Sequence, residues 1–140
     1  MLRMTKKYQT GLMWFRRDLR AEDNAALHHA LKSCSKVFCA FIFDRDILDS
    51  LPRADRRVEF IHASLLDLDT QLEQLGSRHG SSDTGLLVEH ATAIQAIASL
   101  TTKLSIDAVF ANHDYEPQAL ARDAEVEALL SAGGVAFHTF

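Results

Sequence analysis

Three arginines fall within five residues, Arg16, Arg17 and Arg20, with Asp18 among them. Forked guanidinium donors at this density suit a carboxylate, a phosphate or the surface of a second domain, and Asp18 can pair with one of them. The plainer reading is a solvated basic turn beside Glu22 and Asp23. Further polar groups stand at Asp44-Arg45-Asp46, Glu89-His90 and Asn112-His113-Asp114-Tyr115-Glu116. Carboxylates there can accept from ring N–H or hydroxyl groups, and arginines can donate to a carbonyl or an oxyanion. Seven histidines raise a metal reading. However, His28 and His29 are adjacent on a helical pattern and diverge, while His62, His79, His90, His113 and His138 are scattered, so no metal site is expected. Cys34 and Cys39 form no CxxC pair and read as core or near-surface thiols. The run Arg53, Asp55, Arg56, Arg57, Glu59 reads as a solvated first helical turn. Arg122, Asp123, Glu125 and Glu127 read the same way, as a solvated helical face.

These groups follow short apolar runs. Leu12-Met13-Trp14-Phe15, Val37 to Phe43, Leu86-Leu87-Val88, Ala108 to Ala111 and Val135-Ala136-Phe137 are short and unbroken, which suits strands buried on both faces. Helical patterns lie between them. Asp23 or Asn24 can cap a helix through Ala25, Leu27, Ala30 and Leu31. A longer helix is expected over about 54–78, with Val58, Ile61, Leu65, Leu68, Leu72 and Leu75 on one stripe. Two more are expected over about 91–104 and 117–132, the last opened by Pro117 and closed by Gly133-Gly134. Residues 79–85 read as a loop. Strict strand–helix alternation means an α/β fold with a parallel sheet covered on both faces. Such sheets bind ligands at the carboxyl ends of their strands, where each polar cluster above falls. Trp14 reads as packing within the first strand.

The chain of 140 residues is one domain in length, and 47% hydrophobic with 24% charged residues is ordinary globular composition. A net charge of −4 gives it no overall attraction to phosphate, so it is a poor self-sufficient nucleic-acid binder. No apolar run approaches the roughly 18 residues of a membrane span, and the basic, polar start is no signal peptide. Two cysteines make no disulfide framework, which fits a reducing cytoplasmic setting. Neither a GxGxxG turn nor a P-loop nor a GxSxG elbow is present.

The stretch from Gly11 through Trp14-Phe15-Arg16-Arg17-Asp18-Leu19-Arg20 and Asp23-Asn24 to Leu27 resembles the opening motif of the DNA photolyase/cryptochrome family. A second block, Asn112-His113-Asp114-Tyr115-Glu116-Pro117 with Arg122-Asp123 and Val126, is similar to another family stretch. Phe43 to Leu48 and Asp55 to Ile61 look most like class I cyclobutane-dimer photolyases. The resemblance runs over 11–140, leaving 1–10 as an N-terminal extension.

This resemblance implies a three-layer, Rossmann-like domain with a five-stranded parallel sheet in the order 3-2-1-4-5. It implies that the chain is the antenna-binding part of a longer light-driven DNA repair lyase. In such an enzyme a C-terminal helical domain, absent here, holds FAD, meets UV-damaged DNA and splits cyclobutane pyrimidine dimers by electron transfer. The chain alone is then expected to repair nothing, to bind FAD poorly and to retain its antenna weakly. The alternatives are a cryptochrome-type photoreceptor module and a stand-alone nucleotide- or flavin-binding module. The resemblance assigns the antenna pocket to Phe41, Asp44, Ile47, Leu48, Arg57 and Asp114, the positions that line a deazaflavin pocket in the family. Aromatic and aliphatic groups would sandwich a flat ring, and polar groups would fix its edges. The competing reading has Asp44 and Asp114 capping helices, with Arg57 paired to one of them. The antenna implied is an 8-hydroxy-deazaflavin or another flavin such as FMN. Methenyltetrahydrofolate is the alternative, although Gln118 and Ala119 stand where the folate-type pattern has its pterin-holding pair. Arg16, Arg17, Asp18, Arg20, Asn24 and Glu116 are assigned to the motif or to an interdomain face, with Arg16, Arg17 and Arg20 exposed on it.

Overall fold

The computed structural model describes residues 6–45, 56–78 and 85–140, and the side chains of 56–58 are outside that description. The chain runs β1 (Tyr8–Phe15), α1 (Ala25–Ser33), β2 (Cys34–Asp44), α2 (Arg56–Arg78), β3 (Leu86–Ala91), α3 (Ala93–Lys103), β4 (Ala108–Ala111), α4 (Pro117–Ala132) and β5 (Ala136–Thr139). All pairings are parallel and the order is β3-β2-β1-β4-β5, as expected. The chain walks outward from β1 to β3, then returns to the other side of β1 at β4. Loops after β1 and β4 therefore diverge, which opens the sheet's carboxyl edge between them.

Strand alternation sorts the core into two faces. Met13, Phe15, Phe41, Phe43 and Phe110 pack under α1 and α2, against Leu27, Ala30, Leu65, Leu68 and Leu72. Leu12, Trp14, Ala40, Ile42 and Val109 pack under α3 and α4, against Ile97, Leu100, Val126 and Leu130. Both faces of β1 are sealed, so its continuous apolar run is the signature of a central strand. Gly11 is required there by close approach: a Cβ at that position would stand 2.4 Å from Cys34 Sγ.

Local chemistry sets the helix ends. Asn24 caps α1, its Oδ1 accepting from Leu27 N at 3.1 Å. Thr92 and Gln95 form a capping box on α3. Pro117 opens α4 and Gly133 closes it, with Gly134 following at φ +73°.

Three expectations change. First, β3 is not buried on both faces: it is an edge strand, and Leu87 and Val88 are exposed. Its apolar run matched a buried strand in pattern alone. Second, β1 begins at Tyr8, inside the stretch read as an extension. Thr10 N donates to Asp107 Oδ2, and Lys6 Nζ donates to the Leu31 and Lys32 carbonyls at the end of α1. Third, β2 is longer than expected, starting at Cys34 directly after α1. Most of the expected loop 79–85 lies outside the described residues.

Candidate functional site

At the carboxyl edge, the first arginine turns inward rather than outward. The Arg16 side chain is only 6% exposed, although its motif was expected on an open face. Its Nη1 donates to Asp123 Oδ1 on α4, and its Nη2 donates to the carbonyl of Asn112 after β4. Among the described residues Asp18 pairs with no guanidinium. Instead its Oδ1 accepts from Arg16 N, and its Oδ2 accepts from the side-chain amides of Asn24 and Asn112. The Asn24 amide also donates to the Arg20 carbonyl at 3.0 Å. The Asn112 amide donates to Asn24 Oδ1 at 2.8 Å, and its Oδ1 accepts from Ala26 N at 3.0 Å. Among the described residues Arg20 reaches the neighbouring Asp23 carbonyl. One buried latch thus ties the turn after β1 to the start of α1, the loop after β4 and the side of α4.

Above this latch lies a cleft of about 250 Å³. Trp14, Phe15, Phe41, Ile42 and Phe43 from the strand ends give it apolar walls. Asp44, Asp114, Glu116, Arg16, Arg17 and Arg122 give it polar edges. Phe41 is a dual-purpose residue: it is 7% exposed, packs edge-on against Phe43 at 5.0 Å, and still lines the cleft. Trp14 is buried beneath two guanidinium carbons, Arg16's at 4.9 Å and Arg122's at 5.1 Å from its ring.

The ion pairs of the cleft are looser than those of the latch. Arg122 stands 3.8 Å from Asp44 and 3.6 Å from Asp123. Arg17, 73% exposed, stands 3.6 Å from Asp114 and 3.7 Å from Glu116. Asp114 also accepts from Glu116 N at 3.0 Å, bracing its own loop. Burial holds the Arg122 guanidinium below its ordinary pKa, and Arg16 adds to that, while Asp123, Asp44 and Asp114 oppose it. Burial also pushes the Cys39 thiol up to about 12, so it carries no reactive thiolate near neutral pH. Beside the cleft, Arg17, Asp18, His113, Asp114, Tyr115 and Glu116 border a second, more open depression of about 420 Å³. Tyr115 is 82% exposed there, so it walls off no water.

A family model for DNA photolyases matches residues 11–140. The chain belongs to the DNA photolyase family. It is 34% identical over 124 residues to a deoxyribodipyrimidine photo-lyase of Synechococcus, covering 89% of this chain and 24% of that protein. It is 29% identical to cryptochrome-1 of Arabidopsis thaliana, covering 93% of this chain and 18% of that one. The crystal structure of an archaeal photolyase from Sulfolobus tokodaii, described with two FAD molecules and their implication of a novel light-harvesting cofactor, superimposes with a TM-score of 0.81 at 32% identity. That match covers 94% of this chain and 29% of the archaeal one. The photolyase-family chain thus spans about a quarter, or less, of the length of these two curated relatives.

Of the residues assigned to an antenna pocket, Phe41, Asp44 and Asp114 come together in the cleft. Ile47 and Leu48 lie outside the described residues, as does the side chain of Arg57. Of the motif residues, Arg17 and Glu116 rim the cleft, while Asp18 and Asn24 belong to the latch. The photolyase-family motif is therefore largely a structural device, and Arg16 joins its two halves.

Arg122 and Asp123 were read as a solvated face, and the structure overturns that. Asp123 is 8% exposed, and the Arg122 side chain 16%. A signal was present: the buried residues of α4 are Ala119, Asp123, Val126 and Leu130, so Asp123 occupies a position on the apolar stripe. A carboxylate there needs a buried partner, and Arg16 is that partner.

The donor set fits a flat, light-absorbing ring. Aromatic and aliphatic walls can sandwich it, and carboxylates with guanidiniums can meet its polar edge. Arg16 Nε, Arg122 Nε and Asp123 Oδ2 are buried without a hydrogen-bond partner. No group of three or more potential metal ligands occurs among the described residues. No helix among them is long and apolar enough to cross a membrane.

Proposed function

We propose that the cleft holds a light-harvesting chromophore of flavin type, an 8-hydroxy-deazaflavin or a related flavin. When bound, such a ring absorbs light and passes its excitation to a catalytic FAD. In the intact protein that FAD would lie in a helical domain, which uses electron transfer to split cyclobutane pyrimidine dimers in UV-damaged DNA. The observation that carries this reading is the meeting of Phe41, Asp44 and Asp114 in one aromatic-walled cleft at the sheet's carboxyl edge. The light-harvesting cofactor named for the archaeal photolyase supports it. Phe41 and Trp14 supply apolar contact, while Asp44 and Asp114 accept from ring N–H or side-chain hydroxyl groups. A folate antenna fits less well: Gln118 and Ala119 line the cleft where a pterin-holding carboxylate would be needed.

Equilibrium titration of the chain with riboflavin, 8-hydroxy-deazaflavin and methenyltetrahydrofolate, followed by fluorescence, tests the reading. The flavin-type rings should bind and the folate should not. Asp114→Ala should weaken flavin binding by about tenfold, the worth of one charged hydrogen bond. Failure of both flavin-type rings to bind overturns the reading.

The 29% identity to a plant cryptochrome favours a second reading, a blue-light photoreceptor module that repairs nothing. Light-dependent loss of dimers from an irradiated oligonucleotide, assayed with the intact protein, separates the two. Repair supports the first reading and its absence the second.

A further inference from the structure

Arg122 lines the cleft but was not among the residues assigned to the antenna pocket, and its ion pairs are loose. Arg16, over the same Trp14 ring, donates through both terminal nitrogens to fixed oxygens. Arg122 does not close its contacts in that way. Its carboxylate neighbours stand at 3.6 and 3.8 Å, ion-pair range but beyond hydrogen-bond length. Its Nε is buried without a hydrogen-bond partner, as are Arg16 Nε and Asp123 Oδ2. Its guanidinium carbon stands 5.1 Å from the centre of the Trp14 ring, at the cleft wall.

The charges around it decide which acceptor it suits. Among the described residues lining the cleft, Arg16, Arg17 and Arg122 face Asp44, Asp114 and Glu116, so the two signs cancel. Asp123 behind Arg122 adds one more negative charge. Among these described residues no surplus of positive charge faces an anion, so a phosphate or an ionised phenolate gains little Coulomb attraction from them. A neutral carbonyl gains a charge-assisted hydrogen bond without disturbing the balance.

We propose that Arg122 is a ring-binding residue of the cleft, stacked on Trp14 and donating to a neutral ring carbonyl of a flavin-type chromophore. This rests on the reading of the cleft as the chromophore site. Asp44 and Asp123 then hold the guanidinium in place, and Asp114 remains the acceptor on the opposite edge.

The test titrates the chain and its Arg122→Gln and Arg122→Lys variants with riboflavin. Arg122→Gln should weaken binding by about tenfold, with Arg122→Lys between it and the parent. A second readout separates ligand contact from mere support of the fold. A guanidinium against the carbonyl beside the ring imide favours the deprotonated imide. Arg122→Gln should therefore raise the pH at which the bound ring loses its imide proton, relative to the parent, while the cleft's carboxylates keep the neutral ring the tighter binder in both. A third arm uses 8-hydroxy-deazaflavin: its neutral form should bind more tightly than its ionised form, and the reverse order overturns the proposal. Riboflavin binding within twofold of the parent in Arg122→Gln, with the imide titration unchanged, also overturns it while leaving the cleft reading intact. Absence of riboflavin and deazaflavin binding in the parent overturns the cleft reading, and this proposal with it. Arg122→Lys keeps the charge beside Asp44 and Asp123, so its affinity and imide titration decide the matter if Arg122→Gln does not fold.

Discussion

Two clusters of guanidiniums and carboxylates sit at the same end of the sheet, and they are built differently. In the latch, Arg16 and Asp18 are surrounded by fixed amides and carbonyls, and Arg16 is almost wholly buried. In the cleft, Arg17 and Arg122 stand 3.6 to 3.8 Å from their carboxylates, and Arg17 is mostly in water. Burial makes a partner obligatory for the first cluster, because a charge withdrawn from water must be repaid by hydrogen bonds. The second cluster keeps donors and acceptors available on the walls of an aromatic cavity. The difference teaches that a motif rich in arginine need not be a binding motif throughout. Its most strictly spaced part here closes the fold, and its neighbours across the edge face the ligand.

The sharpest way to break this comparison is to remove the latch's cation. Arg16→Gln removes the hydrogen-bonded partner of the buried Asp123 and leaves it the looser Arg122 contact at 3.6 Å, and losing one partner of a buried pair costs about 3–5 kcal/mol. Urea unfolding should show that loss, with a lower midpoint and an unchanged slope. A cost below about 1 kcal/mol would place Arg16 among the surface pairs and dissolve the distinction. Next in size is the cap. Asn24→Ala removes the Leu27 cap and the amide link to Asp18, and should cost about 1–2 kcal/mol. Asn24→Asp keeps the cap oxygen but sets a carboxylate about 3 Å from Asp18 Oδ2, where the Asn24 amide now sits at 3.0 Å. It should therefore be the less stable of the two at neutral pH, and should recover as acid protonates the pair. If Asn24→Asp is the more stable at neutral pH, Asn24 serves as a helix cap alone.

The fold was readable because each level of the sequence agreed with the next. Apolar runs marked the strands, Asn24 and Pro117 marked helix starts, and the polar residues after β1, β2 and β4 marked the cleft. The division between latch and cleft was not readable. It depends on which way each side chain turns, and Arg16 and Arg17 are neighbours with opposite fates. Arg16 turns inward because Asp123 waits on α4, more than a hundred residues later. Asp123 was misread because two glutamates follow it on the same helix, which hid its place on the buried stripe. The exposure of β3 was equally hidden, since an edge strand and a central strand can share one apolar pattern.

The smallest effect sharpens the comparison most, because the two neighbours differ by one position. Arg17 is 73% exposed and holds Asp114 and Glu116 at 3.6 and 3.7 Å. Pairs of that kind lose in side-chain order nearly what they gain in Coulomb energy, and salt screens the remainder. Arg17→Ala should therefore change stability by less than about 0.5 kcal/mol, and half-molar salt should erase the change. A double-mutant cycle of Arg17 with Asp114 should give a coupling near zero, while a cycle of Arg16 with Asp123 should give several kcal/mol that salt leaves intact. Removing Arg17 also leaves Asp114 braced by Glu116 N, so the loop after β4 should keep its shape. Equal couplings in the two cycles would mean that the latch and the cleft are one electrostatic network. Unequal couplings would mean that the boundary between holding the fold and holding a ligand runs between Arg16 and Arg17.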